Sequence, residues 1–343
     1  MDISILTLYG ANNVGAFLQA FSMQSVLEEL CTTGKVSFIR FPSAQQSKMK
    51  KALRYFKSLK FSKLYFKYKT SKKYAVVMKK LNIDDEVFSE SRQYDTIVVG
   101  SDEVWNITSN TFSHLPQYFA HNIKANNIIS YAPSAGNTKP EEVAGANIDF
   151  SGFNSLSVRD DNTFDIVKKI DGRTPVIVCD PTLLIESFDP YIRPVEEKDY
   201  ILIYNYELDK QSIKDIKNYA KSHNKKLISV GVHNGWCDKN IVADPIEFLS
   251  WLASADQVIT STFHGTVLSV KLHKQVAVYA HTSNKIKGFL KQIGLEAINV
   301  SKVKNLSAVL ENPIPYDLVE KKIKEFRETS MKYLKGALEN KND

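Results

Sequence analysis

Two runs of alternating strand-like and helix-like segments, parted by one proline-rich break, constrain this chain more than any other feature. In the first run "ISILTLY", "KVSFIRF", "YDTIVVG", "NNIISYA", "NSLSVRD" and "TPVIVCD" are short apolar stretches. Between them lie longer stretches such as "GAFLQAFSMQSVLEEL", with an apolar stripe at helical spacing. The segment "ESFDPYIRPVEEKD" breaks the rhythm with two prolines and many charges, and the alternation then restarts at "YILIYNY". Such alternation predicts parallel sheets covered by helices on both faces. The expected fold is α/β, with two Rossmann-like domains facing a cleft. Their expected extents are 1–185 and 200–312, with a linker at 186–199. The tail at 313–343 reads as one long amphipathic helix.

The length of 343 residues suits two such cores. No window approaches the ~18 consecutive apolar residues of a membrane span. "MDISILTLYG" lacks a basic stretch followed by an apolar one, so no secretory leader is expected. Cys31, Cys179 and Cys237 lie far apart without a CxxC pair and read as reduced thiols of a cytoplasmic protein.

The net charge of +7 hides a strong asymmetry. Residues 48–80 carry thirteen Lys or Arg, seven aromatics and no acid, so the rest of the chain is net acidic. A basic, aromatic excursion of this kind suits an anionic membrane surface, giving peripheral contact with the inner face of the cytoplasmic membrane. The competing reading is a solvated helix with one core-facing stripe. Nucleic acid is not expected, because the remainder is acidic and no RNA or DNA module is visible.

The residues able to do chemistry fall just after strands, where open α/β sheets bind ligands. "GANNVG" matches neither a dinucleotide fingerprint nor a P-loop. Asn12 and Asn13 there suit a polyol or a tight turn. "GSDEVWN" holds Ser101, Asp102, Trp105 and Asn106. Asp102 is a candidate general base and Trp105 a candidate flat platform for a sugar. Asp102 and Glu103, being adjacent, are expected to point apart on an extended chain. A helix N-cap over a core tryptophan is the bland alternative. Arg159 in "SVRD" can grip an anion as a fork, or pair with a neighbouring aspartate. In "TSTFHGT" a strand runs into a helix start carrying His264, with hydroxyls from Ser261, Thr262 and Thr266 nearby and Gly265 allowing close approach. Free N–H groups and the dipole favour an anion at such a start. HExxH, GxSxG and paired-cysteine motifs are missing from the sequence, so no metal is expected.

In order, "GANNVGAFLQAFSMQSVL", "YDTIVVGSDEVWN", "ISYAPSAG", "LSVRD", "CDPTLL" and "TSTFHGTVLSVKLHKQV" resemble the polysaccharide pyruvyl transferase family over roughly residues 1 to 295. The resemblance implies a glycosyltransferase-B-like (GT-B-like) enzyme. It implies phosphoenolpyruvate as donor substrate, no cofactor, and a pyruvate ketal placed on a cell-surface polysaccharide or its lipid-linked precursor. It puts the acceptor in the first half and the donor in the second. His264 matches a donor-binding histidine, and Arg159 a donor-binding arginine. Thr262 stands where the family has another arginine, and Phe263 where it has a leucine. Lys271, Lys285 and Lys287 are candidates to replace the missing charge. Two alternatives stay open. One is a nucleotide-sugar glycosyltransferase, for which Glu247 and Asp256 are the candidate ribose-binding acids. The other is an inactive glycan-binding relative.

Overall fold

A computed structural model describes residues 1–10, 12–41, 61–109, 115–281 and 283–339. The first half holds β1 (Ile3–Leu6), α1 (Val14–Leu30), β2 (Val36–Arg40), α2 (Phe61–Val77), β3 (Ile83–Val87), β4 (Gln93–Val99) and β5 (Lys124–Ser130). It continues through α3 (Pro140–Gly145), β6 (Ser157–Val158), α4 (Asp161–Asp171), β7 (Val176–Ile177) and α5 (Pro181–Leu184). The second half holds β8 (Tyr200–Tyr204), α6 (Lys210–Ser222), β9 (Lys226–Val230), β10 (Lys239–Ile241), α7 (Pro245–Ser254), β11 (Gln257–Thr260), α8 (Phe263–Lys271), β12 (Gln275–Val278) and α9 (Asn284–Ile293). Two short helices, α10 (Val300–Val303) and α11 (Leu306–Glu311), lead to the long α12 (Tyr316–Glu339).

Each half carries a five-stranded sheet, ordered β3-β2-β1-β4-β5 and β10-β9-β8-β11-β12, and a small sheet pairs β6 with β7. Every strand pairing between named strands is parallel. In both large sheets the chain leaves the centre in one direction and returns in the other. That creates a crevice beyond the carboxyl ends of the two central strands. In register, Leu6 is level with Val99, and Tyr204 with Thr260. The segments after these four residues therefore emerge at matching heights.

Helix α1 is buried nearly all round, which a stripe-faced surface helix would not be. It packs on its own sheet and also against α5, α7 and α8, so it lies between the halves. The segment expected as a linker at 186–199 crosses between the sheets and seats Phe188 in the core. The strand expected over "TPVIVCD" shrinks to Val176 and Ile177, whose partner is β6 and not the main sheet. Of the basic excursion, residues 48–60 lie outside the described residues. The rest forms α2, whose Phe66, Thr70, Tyr74 and Val77 are buried along one stripe. Phe66 meets His233 edge-on at 5.6 Å, and Lys73 pairs with Glu247 at 2.5 Å, so α2 reaches the second half.

Helix α12 returns the chain to the first half. Tyr333 Oη donates to the Ser130 carbonyl at 2.9 Å, Asn127 Nδ2 to the Ala337 carbonyl at 2.9 Å, and the Cys179 N–H to Ser330 Oγ at 2.8 Å. Leu334, on the inner face of α12, is fully buried. Leu334→Ala is expected to lower the unfolding free energy by ~2–5 kcal/mol in urea titration. A change below ~1 kcal/mol would show that α12 is not docked this way.

Candidate active site

The two crevices face each other across a cavity of about 1100 Å³. Its walls come from the segment after β1 (Thr7, Leu8, Tyr9, Gly10, Asn12, Asn13), from Asp102 and Glu103 after β4, and from Tyr204 and Tyr206 at the end of β8. Ser261, Thr262, Phe263 and His264 enter from the start of α8, and Ser283 and Lys285 from the start of α9. These are the carboxyl ends of strands and the helix starts that follow β11 and the edge strand β12, where such sheets bind ligands.

His264 is nearly buried on the wall. Its Nε2 lies 3.4 Å from Asp180 Oδ2 and makes no well-formed hydrogen bond among the described residues. The ring packs on Gly15 so closely that a Cβ there would sit 2.1 Å from His264 Nδ1. That explains a glycine in the first turn of α1, where it is otherwise about 1 kcal/mol worse than alanine. Thr262 is the N-cap of α8, accepting the Gly265 N–H at 2.9 Å.

Behind the wall lies a buried charge cluster. Arg159 donates from Nη1 to Asp180 Oδ2 at 2.8 Å, and its Nη2 lies 3.9 Å from Asp102 Oδ1. Its Cζ sits 4.5 Å from the centre of the Phe263 ring, and its Nε and Nη2 lack hydrogen-bond partners among the described residues. Asp180 also accepts from the Thr182 N–H at 3.0 Å and hydroxyl at 2.7 Å. Burial alone would raise the Asp180 carboxyl; His264, Arg159 and Thr182 overcome it and hold it well below the usual carboxylate range. Asp180 had no assigned role in the sequence. Its position after an apolar strand and before a proline is an N-cap signal, and it does cap α5.

Several expectations need correcting. Trp105 is no platform: it is buried, donates from Nε1 to the Tyr118 carbonyl at 2.6 Å, and packs among Phe119, Phe150 and Phe153. The aromatic side chains on the cavity wall include Tyr9, Tyr204 and Tyr206 instead. Asn106 does not reach the cavity wall; its Nδ2 donates to Glu103 Oε2 at 2.6 Å. Ser101 is buried below, accepting the Asp102 N–H at 2.5 Å. Gly265 and Thr266 are buried inside α8. A Cβ at Gly265 would strike Thr260, Thr262 and Tyr204, so the close approach it allows is internal. Arg159 lies beneath the cavity wall, spent on Asp180 and stacked on Phe263, and not open to a ligand.

Asp102 and Glu103 do share the cavity, against the expectation for an extended pair. Asp102 adopts φ of 65°, so the chain turns there and both carboxylates face one side. Glu103 pairs with Lys285, which sits 5.6 Å over the Phe263 ring. Burial would raise the Glu103 carboxyl, but Lys285, Asn106 and Arg159 bring it down to about 2. Lys271 and Lys287 are elsewhere, donating to the carbonyls of Ile185 and Glu186 and of His281. Cys179 is no nucleophile here, since burial pushes its thiol up to about 11. Among the described residues no group of three or more His, Cys, Asp or Glu side chains is placed to hold a metal ion.

The family model for polysaccharide pyruvyl transferase matches residues 13–284, most of the chain. The chain belongs to the polysaccharide pyruvyl transferase family. No curated protein sequence matches it. A Listeria monocytogenes structure described as a UDP-N-acetylglucosamine 2-epimerase superposes with a TM-score of 0.55 at 9% identity, over 97% of this chain and 94% of that one. The Neisseria meningitidis UDP-GlcNAc 2-epimerase gives 0.49 at 11% identity, over 97% and 100%. The E. coli heptosyltransferase WaaC gives 0.39 at 10% identity, over 82% and 90%. At such identities the likeness is one of fold, the GT-B-like pairing of two Rossmann-like halves. This pyruvyl transferase family member thus presents Asp102, Glu103, His264 and Lys285 together in the GT-B cleft.

A depressed folded-state carboxyl stabilises above its unfolded value and loses that stabilisation as pH falls through the folded value. For Glu103 the window runs from about 4.5 down to about 2. Across that window, unfolding free energy is expected to fall less steeply with acidification in Glu103→Gln than in wild type. Equal slopes would show that the carboxylate is not held by Lys285.

Proposed function

We propose that the cleft transfers pyruvate from phosphoenolpyruvate to two hydroxyls of a sugar, forming a cyclic ketal. The observation that carries this reading is His264: at the start of α8, on the wall of the cleft, lining it together with Asp102 of the other half, in a chain of this family. Phosphoenolpyruvate brings a carboxylate and a phosphate, which a helix start and a histidine suit. In the proposed sequence a proton reaches the vinyl CH2, making it a methyl group. A sugar hydroxyl adds to the neighbouring carbon. The carbon–oxygen bond to phosphate breaks, and the second hydroxyl closes the ring. Of the two hydroxyl protons, one is balanced by the new methyl hydrogen and the other leaves with phosphate, so neither oxidant nor reductant is needed.

His264 is assigned to the donor, as phosphate ligand or proton source, and Asp102 to the acceptor hydroxyl as base. Arg159 holds Asp102 and Asp180 in place from beneath the wall. Tyr9 and Tyr206 offer ring surface to the sugar, and Asn12 and Asn13 offer amides. Neither candidate acid of the nucleotide-sugar reading lines this cavity. Glu247 is engaged by Lys73 and by the Asp244 N–H, and Asp256 by Lys225.

His264→Ala is expected to weaken calorimetric binding of phosphoenolpyruvate at least tenfold. Asp102→Asn is expected to cut kcat by ~10²–10⁴-fold with little change in KM for the donor. Preferential binding of UDP- or GDP-sugars would overturn the donor assignment, and full turnover by Asp102→Asn would remove its role.

For a lipid-linked acceptor, we assign the outer face of α2 to the membrane surface. Tyr65, Tyr68 and Val76 are 62%, 54% and 68% exposed, and the ammonium groups of Lys69 and Lys72 lie over the rings of Tyr65 and Tyr68. No helix of the described residues is long and apolar enough to cross a membrane. At roughly 1 kcal/mol per engaged lysine, Lys69→Glu with Lys72→Glu should reduce co-sedimentation with anionic vesicles tenfold or more. Unchanged co-sedimentation would return α2 to a solvated face.

A further inference from the structure

We propose that Lys285 is the cation that receives an anionic group of the donor in this chain, and that Glu103 is its built-in competitor. Lys285's role rests on the reading of the cleft as a donor site. The segment Thr262–Phe263–His264 lacks the arginine that the family resemblance places at Thr262. Thr262 cannot stand in, because its hydroxyl is committed to capping: it accepts the Gly265 N–H and lies 3.1 Å from Thr260 Oγ1. Arg159 lies behind Phe263. Lys271 and Lys287 are bonded to backbone carbonyls away from the cavity wall. Among the described residues on the wall, the basic side chains are His264 and Lys285.

Their placement matches one ligand with two anionic ends. Lys285 Nζ lies 5.6 Å from the centre of the Phe263 ring, and the His264 ring is 5.3 Å from the same ring. Lys285 and His264 thus both adjoin Phe263, which Arg159 contacts as well. A lysine in this position binds as a point charge and tolerates a shifted partner, unlike an arginine fork.

Glu103 is the partner of Lys285. The side chains are 25% and 15% exposed, and they belong to opposite halves of the molecule. Glu103 stays ionised at neutral pH, since Lys285 and Asn106 outweigh its burial. Protonation therefore does not release the pair near neutrality. Exchange does: an incoming carboxylate or phosphate takes the ammonium, and Glu103 keeps its bond from Asn106 Nδ2. A neutral sugar cannot make that exchange, so the pair selects for an anionic donor.

The test is calorimetric titration of the full chain with phosphoenolpyruvate and, separately, inorganic phosphate. The proteins are wild type, Lys285→Ala, Lys285→Arg, Glu103→Gln and the Glu103→Gln/Lys285→Ala double variant. Loss of a charge-assisted contact predicts about tenfold to hundredfold weaker phosphoenolpyruvate binding in Lys285→Ala, with Lys285→Arg largely retained. Glu103→Gln should bind several-fold tighter than wild type, and that gain should vanish in the double variant. Thermal unfolding of each variant separates misfolding from lost contact, and Glu103→Gln reports on the competition with Lys285 intact. Wild-type-like binding by Lys285→Ala, or a Glu103→Gln gain that survives without Lys285, overturns the assignment while leaving the donor reading in place. If wild type binds neither probe, the donor reading fails, and the role of Lys285 with it.

Discussion

The cleft depends on one buried carboxylate. Asp180 is shut off from solvent, and an unpaired charge there would cost several kcal/mol. It is tolerated because Arg159 comes to it from the first half and His264 from the second. Asp180 itself caps the short helix at the end of the first half, where Thr182 supplies two more donors. One group thus serves as helix cap, counter-ion and junction between halves. Its main effect is geometric: buried ion pairs often add little net stability, but breaking one leaves an uncompensated charge. Asp180 fixes where His264 and Arg159 sit, and so fixes the rear wall of the cleft.

Around that junction polar contacts also join the halves. Glu103 meets Lys285 in the cavity, Asn13 meets Tyr206 at its edge, and Lys73 meets Glu247 beyond it. All three lie where a ligand or solvent can reach them. The apolar link is α1, buried between the sheets, with Gly15 pressed on the His264 ring. The arrangement places apolar packing at the back and ion pairs at the front. Charged groups at the front are the ones a doubly anionic substrate would rearrange.

Much of this was legible in the chain. The alternation of strand and helix gave two parallel sheets, because apolar runs of five residues flanked by amphipathic helices have few other ways to be buried. The positions of Asp102 and His264 after central strands put them near the cleft. What misled were residues whose neighbours in space are distant in sequence. Trp105 had the composition of a sugar platform, yet Phe119, Phe150 and Phe153 close over it. Gly265 suggested ligand approach, and its missing Cβ instead makes room for Thr260 and Tyr204. Asp102 and Glu103 share a face because one backbone angle departs from the extended form, which spacing alone does not encode.

By itself the sequence determined the architecture, the family and the strand ends from which chemistry can come, since these follow from periodicity and local turn chemistry. Tertiary structure alone decided which charges face the cavity and which lie beneath it. Arg159 is neutralised by Asp180, twenty-one residues further along the chain, whereas Lys285 is left at the surface of the cleft opposite Glu103. The physical reason is that a side chain's chemistry depends on desolvation and on its nearest opposite charge. Both are set by packing between segments distant in the chain, within the first half for Arg159 and Asp180 and between the halves for Glu103 and Lys285.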